Sequence, residues 1–374
     1  MKNIQMVDVK TQYQAIKAEV DVAIQEVINS AAFINGPAVK RFKASLEEYL
    51  GINTVIPCAN GTDALQIALM ALDLKPGDKV MVPAFTYVAT AEVIALLQLD
   101  PVMVDVDPDN FNLTAEIVEA NLTPDIKVVV PVHLYGQCAD MEGIMNLSKK
   151  HGFYVIEDDA QAIGADYIFS DGRKQKSGTI GHIGCTSFYP SKNLGAYGDG
   201  GAIFCNDEAL GEKIRMIANH GQSVRYYHDL IGCNSRLDAM QAAVLDIKLK
   251  HLDDYCDRRR SVADAYDAAF EEVDSLITPH RSSFSTHVFH QYTLRVTNGK
   301  RDELKSYLQE KGVPSMIYYP VPLYDQKAFA PFSGGIEALP NTELLCKEVI
   351  SLPIHTEMKD EHLQHIIQSV KSFF

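Results

Sequence analysis

The chain has no tryptophan, no CxxC pair, no excess of basic residues and no long apolar run. Its most apolar stretches, such as Val128 to Val132, fall far short of the ~20 residues a membrane-spanning helix needs. The opening stretch MKNIQMVDVKTQYQ lacks the apolar centre of a secretory signal. The protein is therefore expected in the cytoplasm, with no membrane partner. Its 34 Lys and Arg stand against 49 Asp and Glu, a formal net charge of -15. Nucleic acid calls for a basic patch, so none is expected as a partner. The seven cysteines are odd in number and irregularly spaced, as for reduced, mostly buried thiols. Asn112 and Asn121 open Asn-Leu-Thr triplets, which are chance matches without a secretory signal. No GxGxxG follows a strand and no GxxxxGK[ST] occurs, which speaks against dinucleotide and nucleoside-triphosphate sites and so against an oxidoreductase. His287 and His290 are three apart but have no acid or cysteine cluster nearby, so no metal is expected.

What is present is ordinary globular composition, 47% hydrophobic and 22% charged over 374 residues. Short β-branched runs alternate with helical stretches. The strands are predicted at 54–57, 79–83, 102–106, 127–132, 154–157, 185–188 and 202–205. Helices are predicted between several of them, at 63–72, 88–97, 114–120 and 141–151. The run Val128-Val129-Val130 is apolar without alternation, as in a strand covered on both faces. This order argues for an α/β fold with a mostly parallel sheet. From Ser235 to about Phe270 one or two long helices leave it. The rest is less regular, with strands expected at 291–296 and 315–319 and helices at 300–311 and 359–374. The reading is a large domain over 1–250 and a smaller C-terminal α+β domain over 251–374.

Four constellations carry chemistry. In TSFYPSKNLGAYGDGGAIF, Lys192 sits among glycines, small hydroxyls and aromatics. A desolvated lysine there is a usable amine for a Schiff base. In YVIEDDAQAIGADY an apolar strand ends in Glu157, Asp158 and Asp159, where ligands of parallel sheets gather. A carboxylate in that place can keep a pyridinium nitrogen protonated. In CANGTDALQIAL a strand runs into a helix whose free N–H groups, with Thr62, make an anion site; the plainer alternative is an N-cap by Thr62 or Asp63. In GCNSRLDAMQAAVL, Asn234 and Arg236 precede a helix, and Arg suits bidentate phosphate or carboxylate binding. An amine for a carbonyl, an acid for a ring nitrogen and a cradle for a phosphate point together to one cofactor, pyridoxal 5′-phosphate.

The ordered blocks NGTDAL, PAFTYVAT, VHLYGQCADM, EDDAQAIGA, SFYPSKNLGAYGDGGAI and NSRLDAMQAA resemble the sugar aminotransferases of the DegT/DnrJ/EryC1/StrS family. The match spans about Gly36 to Leu249, and YYPVPL continues it weakly. The resemblance implies fold type I of the vitamin B6 enzymes, with a mostly parallel seven-stranded sheet in the large domain. It also implies a homodimer whose sites borrow residues from the neighbouring subunit. Position by position, it implies that Lys192 holds the cofactor covalently and Asp158 pairs with the ring nitrogen, leaving Asp159 a bystander. Gln161 would meet the ring hydroxyl and Tyr87 would stack on the ring. Gly61, Thr62, Asp63 and Ser187 would bind the phosphate, with Asn234 from the other chain. Ala31, Phe33, Ser191, Arg236, Tyr318 and Tyr319 would face the substrates: glutamate, the usual family donor, and a keto-sugar nucleotide. Dehydrating members replace the lysine with histidine, so Lys192 speaks for amination.

Within the family the wording most resembles enzymes that aminate UDP-2-acetamido-2-deoxy-3-oxo-glucuronate for bacterial surface polysaccharide such as lipopolysaccharide. Two positions depart: Phe33 replaces a tyrosine, and Tyr318-Tyr319 replaces His-Tyr. The alternatives are a dTDP-linked 3-oxo-6-deoxyhexose as substrate, or a cofactor-bound regulator without turnover.

Overall fold

The computed structural model describes residues 4–334 and 338–374. Seven strands make the main sheet: β1 (Thr54–Cys58), β2 (Lys79–Pro83), β3 (Asp100–Val104), β4 (Ile126–Val129), β5 (Tyr154–Asp158), β6 (Ile183–Ser187) and β7 (Gly201–Cys205). Their spatial order is β1-β7-β6-β5-β4-β2-β3. The four pairings from β6 through β3 are parallel, while β7 runs antiparallel to both β1 and β6. The expected seven-stranded, mostly parallel α/β sheet is what the chain forms.

Successive side chains of a strand point to opposite faces, and here both faces are buried. Met81, Val129 and Val155 pack on one side with Phe42 and Leu46 of α2 (Pro37–Leu50), Ile144 of α6 (Met141–His151) and Ala242 of α8 (Ala239–Leu249). Val80, Val82, Val128 and Ile156 pack on the other with Leu65 of α3 (Gly61–Ala71), Ile94 of α4 (Ala89–Leu96) and Ile214 of α7 (Glu208–Ile217). Double coverage explains the unbroken Val128-Val129-Val130 run. The third strand lies two residues earlier than predicted, at Asp100–Val104, and the fourth ends at Val129.

The Ser235–Phe270 stretch becomes two helices, α8 and α9 (Leu252–Phe270), which meet at Lys250-His251. Beyond them a three-stranded antiparallel sheet joins Leu276–Ile277, Tyr292–Val296 and Val349–Leu352. It packs with helices Arg301–Glu310 and Asp360–Lys371 into a separate apolar cluster around Tyr266, Leu294, Leu304 and Ile366. Residues 315–319, expected as a strand, form only an isolated bridge, Met316 with Ser351. Among the described residues no helix is long and apolar enough to cross a membrane.

Candidate active site

The carboxyl ends of parallel strands are where such sheets bind ligands. A cavity of about 760 Å³ opens along that edge. Asp158 ends β5, Ser187 ends β6, Asn60 and Gly61 follow β1, and Tyr87 follows β2. Because β7 runs the other way, Asp199 and Gly200, just before it, reach the same edge.

At the floor, β1 turns into α3. The helix is capped by Asn60, whose side chain accepts the Asp63 amide at 2.8 Å, rather than by Thr62 or Asp63. The Asp63 carboxylate accepts the Ser235 hydroxyl at 2.6 Å, and that hydroxyl accepts the Ala59 amide at 3.0 Å. The amides of Gly61 and Thr62 make no hydrogen bond among the described residues. A helix start with open amides is an anion site. Two glycines allow the crowding. A Cβ on Gly61 would lie 2.7 Å from the Ser187 Cβ, and one on Gly201 would lie 2.5 Å from the Asn60 carbonyl.

Asp158 is 6% exposed. Its carboxylate accepts the Thr90 hydroxyl at 2.8 Å and the Ala160 amide at 3.2 Å. Burial raises its pKa above the ordinary carboxylate value, while Thr90, Ala160 and Lys192 pull the other way. In the same cavity, burial pushes the Lys192 amine down to about 8 against the pull of Asp158. Its Nζ makes no hydrogen bond among the described residues. A poised amine, a buried carboxylate and an anion cradle lining one cavity fit an aldehyde that also carries a basic ring nitrogen and a phosphate.

Gln161 is oriented by Tyr135, whose amide donates to Oε1 at 2.7 Å, so Nε2 faces Tyr319 Oη at 3.4 Å. Tyr87, Ser191, Tyr318 and Tyr319 also line the cavity. Asp159 does not. It is fully buried, its carboxylate oxygens have no partner, and burial lifts its carboxyl to about 7. Ala31, Phe33, Asn234 and Arg236 lie outside the lining of this cavity. Ala31, Phe33 and Asn234 are exposed, with Phe33 following the end of α1 (Val9–Ser30).

The model of the DegT/DnrJ/EryC1/StrS aminotransferase family matches residues 14–371. The chain belongs to this family. A pleiotropic regulatory protein of Geobacillus stearothermophilus is 45% identical over all of this chain and 99% of that protein. The UDP-2-acetamido-2-deoxy-3-oxo-D-glucuronate aminotransferase of Pseudomonas aeruginosa is 44% identical over 94% of this chain and 95% of that one. The UDP-N-acetyl-3-dehydro-alpha-D-glucosamine 3-aminotransferase of Acidithiobacillus ferrooxidans is 42% identical, covering 98% and 97%. Among solved structures, NtdA of Bacillus subtilis with bound pyridoxamine phosphate superposes with a TM-score of 0.91 at 29% identity, over 100% of this chain and 85% of that one. The protein is a pyridoxal-phosphate-dependent sugar aminotransferase of fold type I.

Sequence reasoning missed several residues of the aminotransferase's cavity. Thr90 on α4 braces Asp158 from 68 positions away; it stands three residues after Tyr87, one helical turn on, which is a usable cue. Tyr135 holds Gln161 through its backbone in a left-handed conformation (φ 59°) that nothing in its side chain announces. Glu157 is structural. It is fully buried and accepts Gly178, Ile180, Gly181 and His133 at 2.5–2.9 Å. His133 Nδ1 accepts the Ala139 amide at 3.1 Å, so the ring proton sits on Nε2, toward Glu157.

Proposed function

We propose that the chain moves an amino group from glutamate to C3 of a UDP-linked 2-acetamido-3-keto sugar, with 3-oxo-glucuronate the preferred acceptor, in bacterial surface polysaccharide synthesis. The observation that carries the site is the unpaired Lys192 amine, which burial brings to about 8, in one cavity with Asp158 and the open amides of α3. The acceptor rests on the two relatives named for UDP-linked 3-keto amino sugars, at 44% and 42% identity.

In this reading Lys192 holds the cofactor covalently. Asp158 keeps its charge against the ring nitrogen, Gln161 turns Nε2 to the ring hydroxyl, and Tyr87 covers the ring. Gly61 and Thr62 offer backbone N–H groups to the phosphate with Ser187, and Asp63 serves by fixing Ser235. The bound group supplies an aldehyde for amines and a ring that accepts an electron pair. Lys192, as a neutral amine, would take up the α-proton of the donor and hold it at Nζ.

Ala31, Phe33, Asn234 and Arg236 stand outside the cavity lining, and this supports a homodimer in which they serve a neighbour's site. Asn234 then completes the phosphate cradle, while Arg236, Ala31 and Phe33 meet the nucleotide sugar beside Ser191, Tyr318 and Tyr319. We place the enzyme in the cytoplasm, with residues 1–250 as cofactor domain and 251–374 as the smaller one.

A panel of keto-sugar nucleotides with glutamate tests the substrate. UDP-2-acetamido-3-keto sugars should be preferred over a dTDP-linked 3-oxo-6-deoxyhexose by roughly 10²-fold or more in kcat/KM. Preference for the dTDP sugar would overturn the acceptor assignment. Failure to aminate the cofactor with glutamate at all would point to a regulator without turnover.

A further inference from the structure

Tyr135 lines the cavity, is 2% exposed and has all three of its polar groups engaged. Its amide donates to Gln161 Oε1 at 2.7 Å, and its carbonyl accepts the Gln291 amide at 3.3 Å. Its hydroxyl donates to the carbonyl of Tyr318. Its ring packs edge-on against Phe111, with centroids 5.3 Å apart. One residue therefore ties Gln161 through its backbone and Tyr318 through its side chain.

The segment that the phenol reaches has little else to hold it. From Ile317 to Val321 the chain forms no helix or strand, and Pro320 has no amide to give. Among the described residues, the Tyr318 carbonyl is the one backbone group of that stretch with a hydrogen bond. Before it, Met316 bridges Ser351; after it, the Leu323 amide donates to the Ala84 carbonyl at 3.1 Å. A segment with few hydrogen bonds opens locally at little cost, so a single tether counts for much.

Tyr319 lies on this stretch and lines the cavity. Its ring packs with Phe85 and Tyr87, at centroid separations of 6.1 and 6.3 Å. Its hydroxyl accepts Gln161 Nε2 at 3.4 Å. The Tyr135 amide needs an acceptor, so it fixes which end of the Gln161 side chain is oxygen, and the nitrogen end meets Tyr319 as a donor. The phenol of Tyr319 thus accepts from Gln161 and keeps its own O–H to give. Burial raises its pKa, so that proton stays on at neutral pH.

We propose that Tyr135 is a positioning residue for recognition of the acceptor sugar: it holds Gln161 and the Tyr318 carbonyl so that Tyr319 presents its O–H to an oxygen of the keto-sugar. This rests on the cavity being the aminotransferase site. The two tethers separate cleanly, because Tyr135→Phe keeps the backbone amide on Gln161 and removes only the phenol from Tyr318.

The test reads the two half-reactions separately by absorbance. Glutamate converts the pyridoxal phosphate form to the pyridoxamine form, and a UDP-2-acetamido-3-keto sugar converts it back. In Tyr135→Phe the glutamate half should stay within about two-fold of wild type, while the sugar half should lose about ten-fold in kcat/KM, mostly through KM. Binding of the same keto-sugar to the pyridoxal phosphate form, which has no amine to transfer, should weaken by about the same factor in calorimetry. Tyr319→Phe should show the same split, and adding Tyr135→Phe to it should cost less than about two-fold more, since one acts through the other. A sugar half unmoved in Tyr135→Phe, an equal loss in both halves, or full additivity of the two substitutions overturns the proposal. If thermal melts show that Tyr135→Phe does not fold, Tyr319→Phe carries the test, and a sugar half unmoved there overturns the proposal just the same. If glutamate leaves the wild-type pyridoxal phosphate form unchanged, the aminotransferase reading itself fails.

Discussion

At the residue scale the site depends on opposite effects of one cause. Burial destabilises charge, so it lowers the pKa of Lys192 and raises that of Asp158. For the lysine this is useful, since a neutral amine can bond to an aldehyde and take a proton. For Asp158 it is a hazard, countered by the Thr90 hydroxyl and the Ala160 amide. Removing the Thr90 hydroxyl should push the Asp158 pKa further up. Thr90→Val should then move the acid limb of the kcat–pH profile to higher pH and lower kcat by about ten-fold, as for loss of one hydrogen bond to a charged group. An unchanged profile would mean that Thr90 does not steady the charge. Asp159, one residue on and off the cavity, has the burial without the partners, and burial raises its carboxyl to about 7.

At the element scale, α8 grips the Lys192 loop. Gln241 accepts the Tyr197 amide at 2.8 Å, and the buried Lys248 donates to the Gly195 carbonyl at 2.5 Å. Burial pushes the Lys248 ammonium down to about 7 from 10.5. Between those values the unfolded chain binds more protons, so stability rises with pH across that window and the full cost is present below it. Lys248→Met removes the cost. Its melting temperature relative to wild type should be higher near pH 7 than near pH 10, by a few degrees. A difference that does not vary with pH would show that Lys248 is not held as a strained cation. The same scale explains what was legible in the sequence. Strands buried on both faces, such as β4, read plainly, as did α6 between Asp140 and Gly152, with Lys149 and Lys150 in its last turn. The helix α1 did not, because only Gln12, Ile16, Val20 and Val27 are buried along its 22 residues. Residues 315–319 read as a strand from composition alone, but their one backbone bridge is with Ser351. The ligand-facing residues at strand ends were legible because each β-run stops at a small or acidic residue. Thr90, Tyr135 and His290 were not, because tertiary contacts alone bring them to the cavity.

At the scale of the whole molecule, the residues expected to touch substrate, together with Asn234, expected at the phosphate, divide in two. Ser191, Tyr318 and Tyr319 line the cavity, whereas Ala31, Phe33, Asn234 and Arg236 do not. The proposed homodimer with shared sites would account for the division, since a two-fold axis would give each site the other chain's arm. Mixing Lys192→Ala with Asn234→Ala protein, each inactive alone, should restore about a quarter of wild-type activity, because half the dimers form mixed pairs with one intact site of two. No recovery after subunit exchange would count against the shared site.

The central claim is that Lys192 holds pyridoxal phosphate covalently. Borohydride reduction of the pyridoxal-phosphate-loaded protein, followed by peptide mapping, tests it most directly. The account predicts loss of the visible absorption band and a single reduced adduct on Lys192. An adduct on another lysine, with Lys192 unmodified, would contradict it.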